Sequence, residues 1–182
     1  MSADYRTLIL PGRGDSGPDH WQTHWQQKHP SFIRVQQREW NNPDRSAWVA
    51  ALDAAIQSDP RPAILVAHSL SVSLVAHWAA RHSGPVAGAL LVAPSDVEAA
   101  EYPPGTTGFA PIPLQELPFP SVLIASTNDP RVTFARATQF AAAWGSQLEV
   151  AGALGHMGSD SKLGDWPYAF ELLQSLSSLR AA

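Results

Sequence analysis

The chain has 182 residues, with 12 lysines and arginines against 16 aspartates and glutamates and a formal net charge of −4. This mild acidity offers no basic surface for DNA, RNA or an anionic membrane, and the length predicts one domain, residues 1–182, with little room for a separate cap domain. Because the chain has no cysteine, disulfides, cysteine-ligated metal centres and a cysteine nucleophile are excluded.

The N-terminal sequence lacks the features of a signal peptide. No stretch approaches the roughly 20 apolar residues of a transmembrane helix. A cytoplasmic location is therefore the expectation.

Short β-rich runs alternate with helical patterns along the chain. The predicted strands are residues 7–10, 32–35, 63–67, 89–93, 122–126 and 147–150. Between them, apolar residues recur at helical spacing, as at Trp48, Leu52 and Ile56, where Asn42 is the expected N-cap. This alternation predicts an α/β fold with a mostly parallel, doubly wound sheet of about six strands.

The loop after the first strand carries a glycine pattern. Gly12, Gly14 and Gly17 match G-x-G-x-x-G, the dinucleotide-binding fingerprint, for which Glu39 could supply the ribose carboxylate. However, Pro18 predicts that the following helix begins only after the last glycine, whereas the fingerprint needs the helix N-terminus at the pyrophosphate. The match therefore gives only a distant alternative, a nucleotide-dependent oxidoreductase.

Two histidines follow on the predicted first helix. His20 and His24 have the i, i+4 spacing of a metal-binding pair. No third ligand is evident, and the alternation with Trp21 and Trp25 favours a structural or exposed face. No metal site is predicted.

The segment AILVAHSLSVSLVA passes from a strand-like to a helix-like pattern and puts Ser69 at the corner. Such a corner is typical of the nucleophile elbow G-x-S-x-G, whose strained turn exposes the serine hydroxyl. The flanking small residues are Ala67 and Ser71 rather than glycine. The backbone N–H groups of Leu70 and of Arg13, which lies between two glycines, could then form an oxyanion hole.

The segment 94–120 breaks the alternation of strands and helices. It holds seven of the 16 prolines and no periodic pattern. A loop of this length in a compact domain is usually functional, and it follows the carboxyl end of a predicted strand, where ligands bind in doubly wound sheets. We expect it to form a wall of a substrate pocket; a surface loop packed only for stability is the alternative.

A serine hydroxyl is a weak nucleophile and needs a base and an acid that orients the base, in the chain order Ser, Asp or Glu, His. Asp129 ends a predicted strand and precedes a helix, and His156 lies in a glycine-flanked loop after the following strand. Both would then lie at the same edge of the sheet as Ser69.

Each of these residues also has an ordinary structural interpretation. Asp129 could be a helix N-cap, in which case Asp96 is the fallback acid. His156 could be a loop histidine that binds a backbone carbonyl. His68, next to the serine, should face away from the nucleophile, because neighbours on a strand point to opposite sides, and a structural role is expected for it.

Five segments in order carry a resemblance: PGRGDSGPDHWQTHW, LVAHSLS, GALLVAPSD, LPFPSVLIASTNDP and GHMGSDSKLGDWP. Together they resemble the small α/β-hydrolases of the retinoblastoma-binding-protein-nine-like serine hydrolase family, including its bacterial members. The similarity extends from about Thr7 to Phe170. By position, the resemblance implies Ser69 as nucleophile, Asp129 as acid and His156 as base.

The chain departs from that family at two positions. Ser71 stands where the family usually has the second glycine of the elbow, and Gly158 where it usually has asparagine. The alternative function, a catalytically weak hydrolase-fold binding protein, follows from the first departure.

The residues and the resemblance together predict an α/β-hydrolase fold and a serine hydrolase that cleaves a small ester or amide through an acyl-enzyme. Ser69, Asp129 and His156 are the predicted catalytic residues. Leu70 and Arg13 are the predicted oxyanion-hole residues. We expect a small-molecule substrate, no cofactor, no metal, and neither nucleic acid nor membrane as a partner; the sequence identifies no protein partner.

Overall fold

The computed structural model describes residues 5–178. Within them, six strands form one sheet in the order β2-β1-β3-β4-β5-β6, and every neighbouring pair is parallel. The strands are Arg6–Leu10 (β1), Phe32–Arg34 (β2), Ala63–His68 (β3), Val86–Val92 (β4), Ser121–Ala125 (β5) and Gln147–Val150 (β6). The α-helices are Trp21–Lys28 (α1), Arg45–Gln57 (α2), Leu70–Ala79 (α3), Phe134–Trp144 (α4) and Pro167–Ser178 (α5).

Helices cover both faces of this sheet. Side chains of α2, α3 and α4 pack on one face, against alternate strand residues such as Leu65 and Leu91. Side chains of α1 and α5 pack on the other face, against the intervening residues such as Val66 and Leu90. The predicted doubly wound parallel sheet of about six strands is confirmed.

The central strands are buried along their whole length, which explains their continuous apolar sequences. Every residue of β3 and of β4 is buried. Each large apolar side chain that is fully buried in this way contributes about 1.5–3 kcal/mol to the free energy of unfolding. This rigid centre ends at the strand termini, from which the connecting loops emerge.

Within residues 5–178, no helix combines the length and the apolar character needed to span a membrane.

The start of α2 differs from the sequence-based prediction. Asp44, not Asn42, is the N-cap, and its carboxylate accepts a hydrogen bond from the Ala47 N–H at 2.9 Å. The reason is a tertiary contact: Asp44 is extended and forms a bridge with Thr107 of the long loop, so the chain turns into the helix only afterwards. Local helix propensity alone cannot predict this contact.

The segment between β4 and β5 is irregular, as predicted, and most of its apolar side chains are buried. They are Phe109, Ile112, Leu117 and Phe119, all in the cluster on the α2–α4 face, whereas Leu114 is 43% exposed. The His77 Nε2–H of α3 donates to the Phe109 carbonyl at 2.8 Å. Burial lowers the pKa of His77. The loop is thus packed onto the helices and held at the carboxyl edge of the sheet.

Candidate active site

The structure brings Ser69, Asp129 and His156 together at the carboxyl edge of the sheet. Ser69 follows β3 directly, Asp129 lies in the loop after β5, and His156 lies in the loop after β6. Because all strands are parallel, these loops emerge on one side of the molecule.

Ser69 has a strained backbone conformation at the corner between β3 and α3. Its φ is 59° and its ψ is −122°, and α3 begins at the next residue. A non-glycine residue in such a conformation costs of the order of 1–3 kcal/mol and persists only where surrounding contacts enforce it. One such contact is the hydrogen bond from the Ser69 N–H to the Val92 carbonyl at the end of β4, at 3.0 Å.

Gly12 lies directly against Ser69. A Cβ atom on Gly12 would lie 2.7 Å from the Ser69 Cβ and 3.2 Å from its Oγ. Glycine is therefore required here by the close approach of the β1 loop to the serine. The other members of the glycine pattern do not form a dinucleotide site: the Gly14 N–H donates to the Trp40 carbonyl at 2.9 Å, and α1 begins four residues after Gly17.

A continuous line of hydrogen bonds joins the three side chains. His156 Nε2 lies 2.7 Å from Ser69 Oγ, and His156 Nδ1 lies 2.9 Å from each carboxylate oxygen of Asp129. Since a carboxylate can only accept, Nδ1 carries the hydrogen, and Nε2 is the acceptor for the Ser69 hydroxyl. The Asp129 side chain is 0% exposed and that of His156 is 22% exposed. The geometry suits proton transfer from the hydroxyl to the imidazole.

The two carboxylates considered for the acid differ in their local contacts. The N-cap of α4 is Thr133, whose hydroxyl accepts from the Arg136 N–H at 3.1 Å, so Asp129 is not the cap. Asp96 forms an ion pair with Arg136, with 3.4 Å between Oδ2 and Nε. Of the two carboxylates, Asp129 is therefore the one hydrogen-bonded to His156.

Two backbone N–H groups beside Ser69 have no acceptor. Within residues 5–178, neither the Arg13 N–H nor the Leu70 N–H donates a hydrogen bond. Ser71, two residues after Ser69, donates its hydroxyl to the Pro11 carbonyl at 2.6 Å and is buried. This bond ties α3 to the loop that carries Arg13, so the larger side chain at this position has a partner rather than a clash.

A buried pair of histidines supports the His156 loop. The Gln22 N–H donates to His20 Nδ1 at 3.1 Å, so the hydrogen of His20 is on Nε2, which donates to His68 Nδ1 at 3.3 Å. His68 Nε2–H then donates to the carbonyl of His156 at 2.9 Å. Burial lowers the pKa of His68 well below its usual value and, together with Arg34, lowers that of His20 to about 3. Both rings are held neutral.

These contacts bear on the predictions for His20, His24 and His68. His20 is the N-cap of α1 rather than a residue on its face, and His24 lies 3.7 Å from Asp165, so the two histidines do not converge on a common point. Among residues 5–178, no group of three or more histidine, aspartate or glutamate side chains could hold a metal ion. His68 has the structural contacts expected of it.

A cavity of about 350 Å³ opens beside Ser69 and His156. The long loop contributes Ser95, Tyr102 and Pro103 to its wall. Ser95 Oγ lies 2.9 Å from Ser69 Oγ, so the Ser69 hydroxyl has a second hydrogen-bond partner besides His156. The first ten residues of the loop, 94–103, thus supply part of the wall of this cavity.

Ser95 and Arg131 are among the polar residues of this cavity that sequence reasoning missed. Each stands shortly after a strand that ends at the carboxyl edge. That position was the available signal, because polar residues just beyond parallel strands are the usual ligand contacts.

Comparison with known proteins gives consistent matches. A family model described as serine hydrolase matches residues 7–175. A protein from Pectobacterium atrosepticum described as a YdeN-like hydrolase has 32% identity, with 97% of this chain and 92% of that chain covered and a TM-score of 0.87. A hydrolase of the alpha/beta superfamily from Xanthomonas campestris has 18% identity, coverage of 96% and 99%, and a TM-score of 0.62.

Esterase 2 of Thermogutta terrifontis, in a form phosphonylated by cyclosarin, has 17% identity, coverage of 96% and 83%, and a TM-score of 0.69. The search of curated proteins found no match. The likeness to the Pectobacterium protein covers nearly all of both chains.

Proposed function

The chain belongs to the serine hydrolase family and has the α/β-hydrolase fold, and from this we propose that it cleaves a small ester or amide through an acyl-enzyme. In this proposal Ser69 is the nucleophile, His156 the general base and acid, and Asp129 the carboxylate that orients His156. The observation that carries it is the hydrogen-bonded line from Ser69 through His156 to Asp129, with distances of 2.7 and 2.9 Å.

The reaction proceeds in two symmetrical halves. Ser69 Oγ attacks the substrate carbonyl carbon while its proton moves to His156 Nε2. The tetrahedral intermediate expels the alcohol or amine, which takes that proton, and an ester of Ser69 remains. Water then attacks this ester, again losing a proton to Nε2, and the acid is released as the proton returns to Ser69. Asp129 stays ionised and stabilises the imidazolium that forms in each half.

The negative oxygen of each tetrahedral intermediate is bound by the N–H groups of Leu70 and Arg13. Donors of this kind, aimed at the developing charge, typically contribute a factor of about 10²–10³ each to turnover. Their lack of an acceptor among the described residues and the fixed position of the Arg13 loop against Ser69 support this role.

The alternative of a hydrolase-fold binding protein without useful turnover rests on Ser71. Its hydroxyl has a hydrogen-bond partner in Pro11, and His156 lies at hydrogen-bond distance from Ser69 despite the extra atoms. No contact in the described residues favours the binding-only alternative over the enzyme.

The proposal is tested with a fluorophosphonate probe and short-chain p-nitrophenyl esters. We expect one covalent adduct, located on Ser69, and Ser69-dependent ester hydrolysis. Ser69→Ala should abolish both while the circular dichroism spectrum stays native. Ser46→Ala, which removes an exposed serine of α2, is the matched control and should keep both. Full esterase activity in folded Ser69→Ala would overturn the assignment.

A further inference from the structure

The cavity beside Ser69 carries full charges of one sign on its wall. Arg13 and Arg131 line it, and no aspartate or glutamate is among its lining residues. Asn41, Ser95 and Tyr102 supply the neutral polar groups. This is unusual for a chain whose net charge is −4, in which carboxylates outnumber cationic side chains.

Neither arginine is neutralised by a carboxylate. Arg13 donates from Nε to the Asn41 carbonyl at 2.9 Å and from an Nη atom to the Pro103 carbonyl at 3.2 Å, so its partners are uncharged. The side chain of Arg131 is exposed and makes no hydrogen bond or ion pair within residues 5–178.

Some other arginines of the chain pair with carboxylates. Arg34 is paired with Asp15 at 2.8 Å, and Arg136 with Glu98 at 2.7 Å. The two guanidinium groups beside Ser69 have no carboxylate partner within residues 5–178 and can therefore attract an anion.

The two guanidinium groups act on a common region of the cavity. Burial raises the pKa of Tyr102, and both Arg13 and Arg131 oppose this rise by stabilising the phenolate. An electrostatic effect on one hydroxyl requires that both cationic groups lie near it. The Tyr102 hydroxyl therefore lies on a side of the cavity that both guanidinium groups influence.

Two neighbouring cavities share Arg131 but also carry carboxylates. Beyond Tyr102 lies a cavity of about 380 Å³ whose wall includes Arg131 with Asp96, Glu101 and Asp129, and beyond His156 lies one of about 620 Å³ whose wall includes Arg131 with Asp160. In both, the positive charge of Arg131 is offset by carboxylates. The cavity at Ser69 combines Arg131 with a second arginine and has no carboxylate on its wall, so it favours a negative charge more than the other two do.

We propose that the substrate is a small ester or amide that carries a carboxylate close to the bond that is cleaved, bound by the guanidinium of Arg131 with Arg13 adding to the attraction. This inference rests on the proposed hydrolase function of Ser69. Guanidinium groups match a carboxylate with paired, charge-assisted hydrogen bonds. The cavity volume of about 350 Å³ limits the substrate to a small molecule.

Two matched pairs of esters test the inference on either side of the scissile bond. For the acyl side, mono-p-nitrophenyl adipate is compared with its neutral methyl-ketone analogue. For the leaving group, para-carboxyphenyl acetate is compared with para-acetylphenyl acetate. Each kcat/KM is divided by the rate constant for hydrolysis by hydroxide, which removes intrinsic reactivity. We expect the anionic member of at least one pair to be preferred by about tenfold, because charge-assisted hydrogen bonds are that strong.

The variant Arg131→Gln removes one charge from the cavity, and Arg38→Gln removes one from an exposed surface position that does not line it. Arg131→Gln should reduce the anionic preference by about tenfold, mainly through KM, and Arg38→Gln should leave it intact. The backbone N–H of Arg131, which binds Asp129, is unaffected. Because the Arg131 side chain is exposed, added salt should weaken the preference of the wild type.

Two negative results have different meanings. If neutral esters are hydrolysed in a Ser69-dependent way but no pair shows an anionic preference, or if Arg131→Gln leaves the preference unchanged, the inference is overturned and the hydrolase function stands. If no ester is hydrolysed and the fluorophosphonate probe does not react, the proposed function is overturned and this inference with it.

Discussion

Gly12 lies directly against Ser69 and restricts the position of its side chain. Its α-carbon hydrogens occupy the space beside the Ser69 side chain, so the loop after β1 limits how far the serine hydroxyl can move toward it. The same loop carries the Arg13 N–H, so a displacement at this contact would alter the hydroxyl and the proposed oxyanion donor together.

Gly12→Ala should therefore reduce kcat/KM for a p-nitrophenyl ester by roughly 100-fold, because a displacement of about 1 Å at a reacting atom costs that much. The control is Gly17→Ala. A Cβ at Gly17 meets no atom within 4 Å, and its backbone is outside the left-handed region, so its kcat/KM should stay within about twofold. Equal activity of the two variants would mean that the contact at Gly12 does not hold the nucleophile.

At this scale the sequence predicted the residues that meet at the site but not all of their contacts. Chain order and the ends of strands were enough to select Ser69, Asp129 and His156, whose roles remain a proposal. Arg131 was not selected, because an arginine two residues after an aspartate has no distinctive pattern. Its lack of an ion-pair partner becomes visible only in three dimensions.

Helix α1 is the element that holds the His156 loop. Trp21 Nε1–H donates to the Met157 carbonyl at 2.9 Å, and Trp25 Nε1–H donates to the Asp165 carbonyl at 2.7 Å. The chain of hydrogen bonds through His20 and His68 reaches the His156 carbonyl. The tryptophans and histidines of this segment thus all help to hold the His156 loop in place through hydrogen bonds. The bonds through the two histidines require both rings to be neutral.

Acid should therefore weaken the fold through the buried histidine pair. The folded-state pKa values of His20 and His68 lie below the usual value of 6.5, so the unfolded chain binds more protons at acid pH. The stability they contribute is complete above pH 6.5 and is lost as the pH falls below it. The loss is about 1.4 kcal/mol per pH unit for each histidine, and for His20 it continues to about pH 3.

The measurement is urea unfolding of the wild type and of His68→Gln at pH 7.5 and 5. Glutamine can accept from His20 and donate to the His156 carbonyl, but it does not titrate. From pH 7.5 to pH 5 we expect the free energy of unfolding to decrease in both proteins. The decrease should be about 1–2 kcal/mol smaller in the variant than in the wild type. An identical loss in both proteins would contradict the view that His68 is buried in its neutral form.

The elements themselves and most strand boundaries could be predicted, and some boundaries could not. Short β-rich runs located all six strands, and the four central ones are mostly apolar because that part of the sheet is covered on both faces. Strand β4 begins at Val86, three residues before its predicted start, because Gly88 interrupts the apolar run while the pairing with β3 continues past it through a shift of register between Ala63 and Ile64. Similarly, His20 became a cap through the bond between its Nδ1 atom and the Gln22 N–H, which helical spacing does not reveal.

At the scale of the whole molecule, parallel topology is what makes the site possible. Three residues separated by 60 and 27 positions meet because β3, β5 and β6 all end on one edge. Alternating elements predict that edge, and chain order then predicts which side chains lie on it. The path of the segment 94–120 was not predictable in detail, because its position depends on contacts with α2 and α3 rather than on local preference.

The most direct measurement of the central claim is detection of the acyl-enzyme itself. The protein is mixed with p-nitrophenyl acetate, quenched in acid during turnover, digested and examined by mass spectrometry, with Ser69→Ala treated in parallel. We predict one acetyl group per chain on the peptide that contains Ser69, formed in a burst of p-nitrophenol, and none in the variant. Steady turnover by folded Ser69→Ala, or an acetyl group that forms and decays at the turnover rate on another residue, would contradict the account.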